Sequence, residues 1–201
     1  MSSSNVASSF NVAKFGGTSV ANFEAMSRCA AIIENNSNTK LVVSSACSGV
    51  TNLLVELANG VQDKTRRQEL VTQLTDIHNT ILAQLADPSS IDKEVHSVLD
   101  DIASAAEAAS FQASTKLTDH LVACGELMST HILAQIIRDR GTPAIRFDIR
   151  EVMRTNDDFG KAKPQLKDIA ALAQQKLIPL CQQQVVVTQG FIGADSEGNT
   201  T

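Results

Sequence analysis

Apolar positions along the chain switch between two periods. Residues 11–15, Asn-Val-Ala-Lys-Phe, read as a short strand that Gly16-Gly17 stops. Phe23, Met26, Ala30 and Ile33 then recur at helical spacing, predicting an amphipathic helix that begins after Thr18-Ser19 and ends in Asn35-Asn36-Ser37-Asn38. Residues 40–46, Lys-Leu-Val-Val-Ser-Ser-Ala, predict a second strand, with Cys-Ser-Gly and another helix from Thr51 after it. Strand, helix, strand, helix implies a parallel sheet with helical crossovers.

A long helical block follows. Leu70, Leu74, Ile77, Ile81 and Leu85 form one stripe, and Asp87-Pro88-Ser89-Ser90 breaks it. Ile91, Val95, Val98, Ile102 and Ala106 form the next. The third, Leu117, Leu121, Cys124, Met128 and Ile132, lies on a helix expected over 117–140 and ended by Gly141-Thr142-Pro143. The block, about 62–140, reads as an all-helical insertion packed on one side of an α/β domain. Strand character returns at 143–149, a helix at 168–183, and a valine-rich strand at 184–192 whose composition suits burial on both faces. The run after Gly193 reads as a hairpin turn with its return strand just beginning, so the sequence reads as the front part of a longer chain.

Composition narrows the class. With 201 residues, 43% apolar and 19% charged, one domain with a substantial core is expected. Trp and Tyr are absent, so the core is aliphatic and platforms for stacking bases are few. A net charge of −5 argues against nucleic acid as a partner, but not against a small anion held by a few placed donors. The cysteines, Cys29, Cys47, Cys124 and Cys181, show no Cys-x-x-Cys pair, and the histidines, His78, His96, His120 and His131, no close ligand pair. Free thiols in a reducing, cytoplasmic setting and no metal site are expected. No continuous apolar run of membrane-spanning length is read, and residues 1–10 look like a disordered serine-rich tail rather than a signal sequence.

Three strands end in small or polar residues, and ligands in open parallel sheets bind outside such carboxyl ends. In the first loop, Gly16 and Gly17 allow close backbone approach, their amides and the following helix N-terminus can receive an anion, and Lys14 lies just before. The alternative is a tight turn beside a solvated lysine. The second loop offers Ser44, Ser45, Ser48, Gly49 and Thr51, whose hydroxyls suit a carboxylate or phosphate, or simply cap a helix. Glu126 falls opposite the apolar stripe of its helix and reads either as a pocket wall for an ammonium group or as a solvent-facing glutamate. Arg150, Arg154, Asp157 and Asp158 lie in a segment of mixed charge that suits a pocket rim, a subunit contact or a salt-bridged surface loop.

Lys14-Phe-Gly-Gly-Thr-Ser-Val20 resembles the N-terminal signature of aspartate kinases, in the amino-acid kinase superfamily. Leu-Val-Val-Ser-Ser-Ala-Cys-Ser-Gly-Val-Thr-Asn52, Gly-Glu-Leu-Met-Ser-Thr130, Val-Met-Arg-Thr-Asn-Asp-Asp-Phe-Gly160 and Thr-Gln-Gly-Phe-Ile-Gly193 match in order, in wording most like the lysine-sensitive, single-function branch. The resemblance implies a three-layer α/β amino-acid-kinase fold with a mainly parallel sheet, of which residues 11–201 are the N-terminal, aspartate-binding part. It implies Mg-ATP and L-aspartate as substrates, phosphoryl transfer to the β-carboxylate, a role in amino-acid biosynthesis, and a parent that is a homodimer or higher homo-oligomer. By the same match Lys14 is catalytic and, with Gly16 and Gly17, binds the phosphates; Ser45 and Thr51 hold the aspartate; Glu126 receives its ammonium. The family's Leu-Gly-Arg-Gly-Gly-Ser-Asp run, nucleotide lobe and ACT domains are not in this sequence. The competing readings are a kinase for glutamate, acetylglutamate, carbamate or a nucleotide, and a non-catalytic assembly module built on the helical block.

Overall fold

The computed structural model describes residues 9–201. Four strands, β1 (Asn11–Phe15), β2 (Thr39–Ser44), β3 (Ala144–Arg146) and β4 (Val185–Gln189), form one all-parallel sheet in the order β1-β2-β4-β3. β4, the valine-rich run, is internal and buried along its whole length, as its composition predicts. Val185 and Val187 face one cluster of buried side chains and Val186 the other, the two-residue period of a strand covered on both sides.

The connections place the layers. β1 to β2 runs through α1 (Phe23–Glu34), and β2 to β3 runs the same way across the sheet through α2 (Val50–Ala58), α3 (Lys64–Leu82), α4 (Asp92–Phe111) and α5 (Thr115–Asp139). β3 to β4 steps back, so a right-handed crossover must pass over the opposite face. There lie α6 (Leu166–Leu172), a π-helical turn (Ala173–Leu177) and α7 (Ile178–Cys181). Leu177 and Cys181 pack with Val186, confirming a helix–sheet–helix sandwich.

The helical block at 62–140 is present, with its members unequal in role. α3 and α4 are the outlying pair, whereas α5 lies along β3 and β4 and is part of the layer that covers the sheet. By length and composition α5 could cross a membrane, but 83% of its most apolar stretch is buried inside the fold, where it acts as the core helix. Its start is fixed by Ser114, whose Oγ accepts the Leu117 N–H at 3.2 Å, and its end by Gly141 at φ 89°, a conformation that glycine adopts without Cβ strain.

Two expectations change. The strand expected at 143–149 forms only three residues, because Phe147 turns into the second cluster and Asp148 caps a short 3-10 turn. The tail expected at 1–10 lies outside the described residues except for Ser9 and Phe10, and Phe10 packs against the second cluster.

His78 is fully buried on α3, its Nδ1 2.7 Å from the Leu74 carbonyl, while Nε2 has no partner among the described residues. Burial lowers its pKa, so the unfolded chain binds the proton more readily. Stability is therefore full above the ordinary histidine value of about 6.5 and falls as pH drops below it. Urea midpoints at about pH 7 and about pH 5 should show that loss, and His78→Leu should reduce it. An equal loss in the variant would remove His78 as a cause.

Candidate functional site

The carboxyl ends of β1, β2 and β4 open on one rim, and a cavity of about 530 Å³ lies there. Gly17, Thr18, Ser45, Ala46, Cys47, Ser48, Gly49, Thr51, Val122, Glu126 and Phe191 line it. The sequence-predicted Gly17, Ser45, Thr51 and Glu126 thus meet from three segments. Gly16 adjoins Gly17. Lys14 does not line the cavity: it is exposed on β1, with its Nζ 5.1 Å from the ring centroid of Phe191, which does. A groove of about 560 Å³ between α3 and α4 is slightly larger, but its Arg67 is already bonded to the Val61 and Gln62 carbonyls.

Glu126 is the centre of the site. It is 6% exposed, which excludes the solvent-facing reading. The reason is that α5 is covered on both sides: Leu121, Cys124, Met128 and Ile132 enter one cluster, and Ala123 and Leu127 the other. Its Oε1 accepts the Ala46 N–H at 3.3 Å, while Oε2 is buried with no hydrogen-bond partner among the described residues. Desolvation pushes its pKa up to about 7, against the pull of the Ala46 N–H. A buried carboxylate with one oxygen held and one unpaired is suited to an incoming cationic donor.

The approach that builds this wall depends on Gly125. A Cβ there would come within 2.7 Å of Ala46 Cβ and 3.1 Å of Val50 Cγ1. Ser129 Oγ adds a second tie, donating to the Ser45 carbonyl at 2.7 Å. Behind Glu126, Thr130 Oγ1 donates to the Glu126 carbonyl at 2.8 Å and accepts Gln189 Nε2 at 2.9 Å, while Gln189 Oε1 accepts the Ile149 N–H at 2.9 Å. Sequence reasoning missed Thr130 and Gln189, although they lie inside two of the segments it singled out.

The first loop differs from expectation. Gly17–Val20 form a 3-10 turn, and α1 starts at Phe23, where Asn22 Oδ1 takes the Ala25 N–H at 2.9 Å. The α1 N-terminus is thus capped by its own side chain instead of opening on Gly16-Gly17. Neither glycine has positive φ. Gly17 is needed for proximity, because a Cβ there would stand 3.1 Å from the Ala46 carbonyl oxygen.

Phe191, also missed, is 86% exposed at the cavity wall and has φ 63°, the one non-glycine residue with positive φ among the described residues. Backbone strain of this kind concentrates at functional sites. The mixed-charge segment serves as bracing: Arg150 grips Asp148 with two bonds, at 2.9 and 2.6 Å, and reaches Thr200 Oγ1 at 2.9 Å. Gly193 and Thr201 exchange backbone bonds at 3.0 and 3.1 Å, giving the expected hairpin.

The amino acid kinase family profile matches residues 9–201. The chain is 47% identical, over 94% of its length, to the lysine-sensitive aspartokinase 3 of Escherichia coli, of which it covers 42%. It superposes on the crystal structure of E. coli aspartokinase III in complex with aspartate and ADP with a TM-score of 0.93, at 46% identity over 96% of this chain and 43% of that one. The T-state structure of the same enzyme with lysine and aspartate gives a TM-score of 0.94. The chain therefore spans about two fifths of the length of these relatives.

Gly125→Ala tests the packing of this site. Overpacking against Ala46 and Val50 should destabilise the fold by about 1–3 kcal/mol. A thermal melt unchanged from wild type would show that α5 can withdraw freely from the β2–α2 loop.

Proposed function

We propose an aspartate kinase function for this chain, which belongs to the amino acid kinase family. In this reading residues 9–201 form the amino-acid-binding part of the whole enzyme, and the observation that carries it is the half-satisfied, buried carboxylate of Glu126 facing the rim cavity. An α-ammonium group would supply the hydrogen bond and the charge that Oε2 lacks. Ser45 and Thr51 would hold the substrate's carboxylates, and Gly16, Gly17 and Lys14 would meet the phosphates of ATP.

The chemistry demands little beyond placement. The β-carboxylate of L-aspartate is already a nucleophile. Its oxygen attacks the γ-phosphorus, the bond to the bridging oxygen of ADP breaks, and no proton need move. The product is 4-phospho-L-aspartate. Catalysis is then alignment plus cancellation of charge on the transferring phosphoryl, the task given to Lys14. Its position against the Phe191 ring restrains the flexible side chain near the rim. Mg²⁺ would arrive as part of the nucleotide substrate: Glu126 is the only carboxylate lining the cavity among the described residues, and an ammonium partner would occupy it.

Similarity to a lysine-sensitive aspartokinase supports a role for the whole protein in lysine-regulated amino-acid biosynthesis. Four buried free thiols support a cytoplasmic setting, and self-association of the whole protein is part of the same reading. N-acylated amino-acid substrates have no free ammonium to offer Glu126, which favours aspartate over acetylglutamate.

Isothermal titration with L-aspartate tests the reading. Because the empty carboxyl group titrates near 7, binding an ammonium must expel its proton at lower pH. Affinity should fall about tenfold per unit below pH 7 and level off above it. Glu126→Gln should weaken binding by about 2 kcal/mol or more and abolish that pH dependence. Binding of N-acetylglutamate instead of aspartate would overturn the assignment.

Residues 1–201 alone lack the family's Gly-Arg-Gly-Gly-Ser-Asp run. They are expected to release no ADP from ATP at saturating aspartate, whereas the whole enzyme carrying Lys14→Met should lose roughly 100-fold in kcat with a smaller change in aspartate KM. ADP release by residues 1–201 would show that the missing run is dispensable.

A further inference from the structure

On the side of α5 turned away from Glu126, three side chains of different chemistry converge. His120 and Cys124 stand one helical turn apart, and Asp101 reaches them from α4. His120 Nε2 is 2.8 Å from Asp101 Oδ2, Cys124 Sγ is 4.0 Å from the same oxygen, and all three ligand atoms lie within 4.8 Å of one another. No residue of this group lines the rim cavity.

We propose that Asp101, His120 and Cys124 form a binding site for a borderline divalent cation of the Zn²⁺ type, with its fourth position open to solvent. Bonds of about 2.0 Å to nitrogen and oxygen and about 2.3 Å to sulfur, arranged tetrahedrally, put ligand atoms roughly 3.3–3.7 Å apart. The observed spacings bracket that range, so binding needs the imidazole and carboxylate to part slightly and the thiol to draw in. The donor set selects the ion. A thiolate disfavours Mg²⁺ and Ca²⁺, which take oxygen, while nitrogen, oxygen and sulfur together suit Zn²⁺. The layout gives it an entrance: the Asp101 and His120 side chains are 48% and 35% exposed, and Cys124 forms the buried floor.

Two other readings fit less well. An Asp–His pair this exposed contributes little stability alone and has no use for a thiol beneath it. A nucleophilic cysteine would need a lowered pKa and a hydrogen bond to the imidazole. Here burial and Asp101 push the Cys124 thiol up to about 12, and Sγ lies nearest the His120 carbonyl, at 3.3 Å, and not the imidazole of His120. Metal binding would displace that proton to solvent, leaving thiolate and carboxylate to balance the two positive charges. The site would tie α4 to α5 and grow weaker as pH falls.

The test uses Co²⁺ as the spectroscopic probe on the chain freed of metals by chelator and dialysis. A thiolate-to-cobalt charge-transfer band with tetrahedral ligand-field bands, saturating at one equivalent and bleached by Zn²⁺, is expected. Cys124→Ser should remove the charge-transfer band. Asp101→Asn and His120→Gln, at half-exposed positions that tolerate substitution, should each weaken Zn²⁺ binding by about tenfold or more with circular dichroism unchanged. No band in the parent chain overturns the proposal. So does a band that survives in a folded Cys124→Ser variant, which would assign it to another cysteine, or an affinity that neither Asp101→Asn nor His120→Gln moves.

Discussion

The structure turns on the contact between the middle of α5 and the loop that follows β2. Eighty positions separate Ala46 from Glu126, yet the amide of one bonds the carboxylate of the other. Gly125 allows it by leaving no Cβ between α5 and the Ala46 and Val50 side chains. Ser129 secures it through the Ser45 carbonyl. If this approach opened by the width of a methyl group, Glu126 would leave the wall of the cavity. The hydroxyls of the second loop would then face no counter-charge. Sheet, helix and site are therefore one packing problem, and close-packed interiors transmit such displacements.

The strand pattern was legible because parallel strands covered on both faces are spelled in branched aliphatic residues, and β4 is three valines in a row. Their shared rim was legible as well, since the alternation of strand and helix sets every strand the same way round. Glu126 was harder. A wheel centred on Leu121, Cys124, Met128 and Ile132 puts it on the far face, where a charge is ordinarily solvated. That face is covered by residues distant in sequence, Phe147, Ile149 and Ile192 among them. Periodicity reports the first buried face of a helix and is silent about a second.

The Gly16-Gly17 loop shows the opposite error. Two glycines before a helical pattern suggested a helix N-terminus open to an anion. Asn22, a short amide at the true start of α1, closes that terminus with its own oxygen. Gly17 serves proximity to the β2 loop, where a Cβ would stand 3.1 Å from the Ala46 carbonyl oxygen. The His120–Cys124–Asp101 cluster escaped notice because ligand pairs were sought among like residues or as Cys-x-x-Cys, whereas a mixed pair one helical turn apart requires the helix to be placed first.

An unpaired carboxylate oxygen in a buried wall is a cost that a fold selected for stability alone would not keep. Burying such a group without a partner is unfavourable by a few kcal/mol, and the rise of its pKa to about 7 records that penalty. The surroundings could have relieved it, since Ser45, Thr51 and Ser129 all carry hydroxyls nearby. Instead Ser129 is committed to a backbone carbonyl, and Thr130 and Gln189 are committed to each other behind the helix. Ser129 is thus held in another bond while Thr130 and Gln189 brace the helix from behind, and none of the three reaches Oε2. That arrangement favours a positively charged guest over internal relaxation, because the carboxylate is already placed and desolvated before any guest arrives.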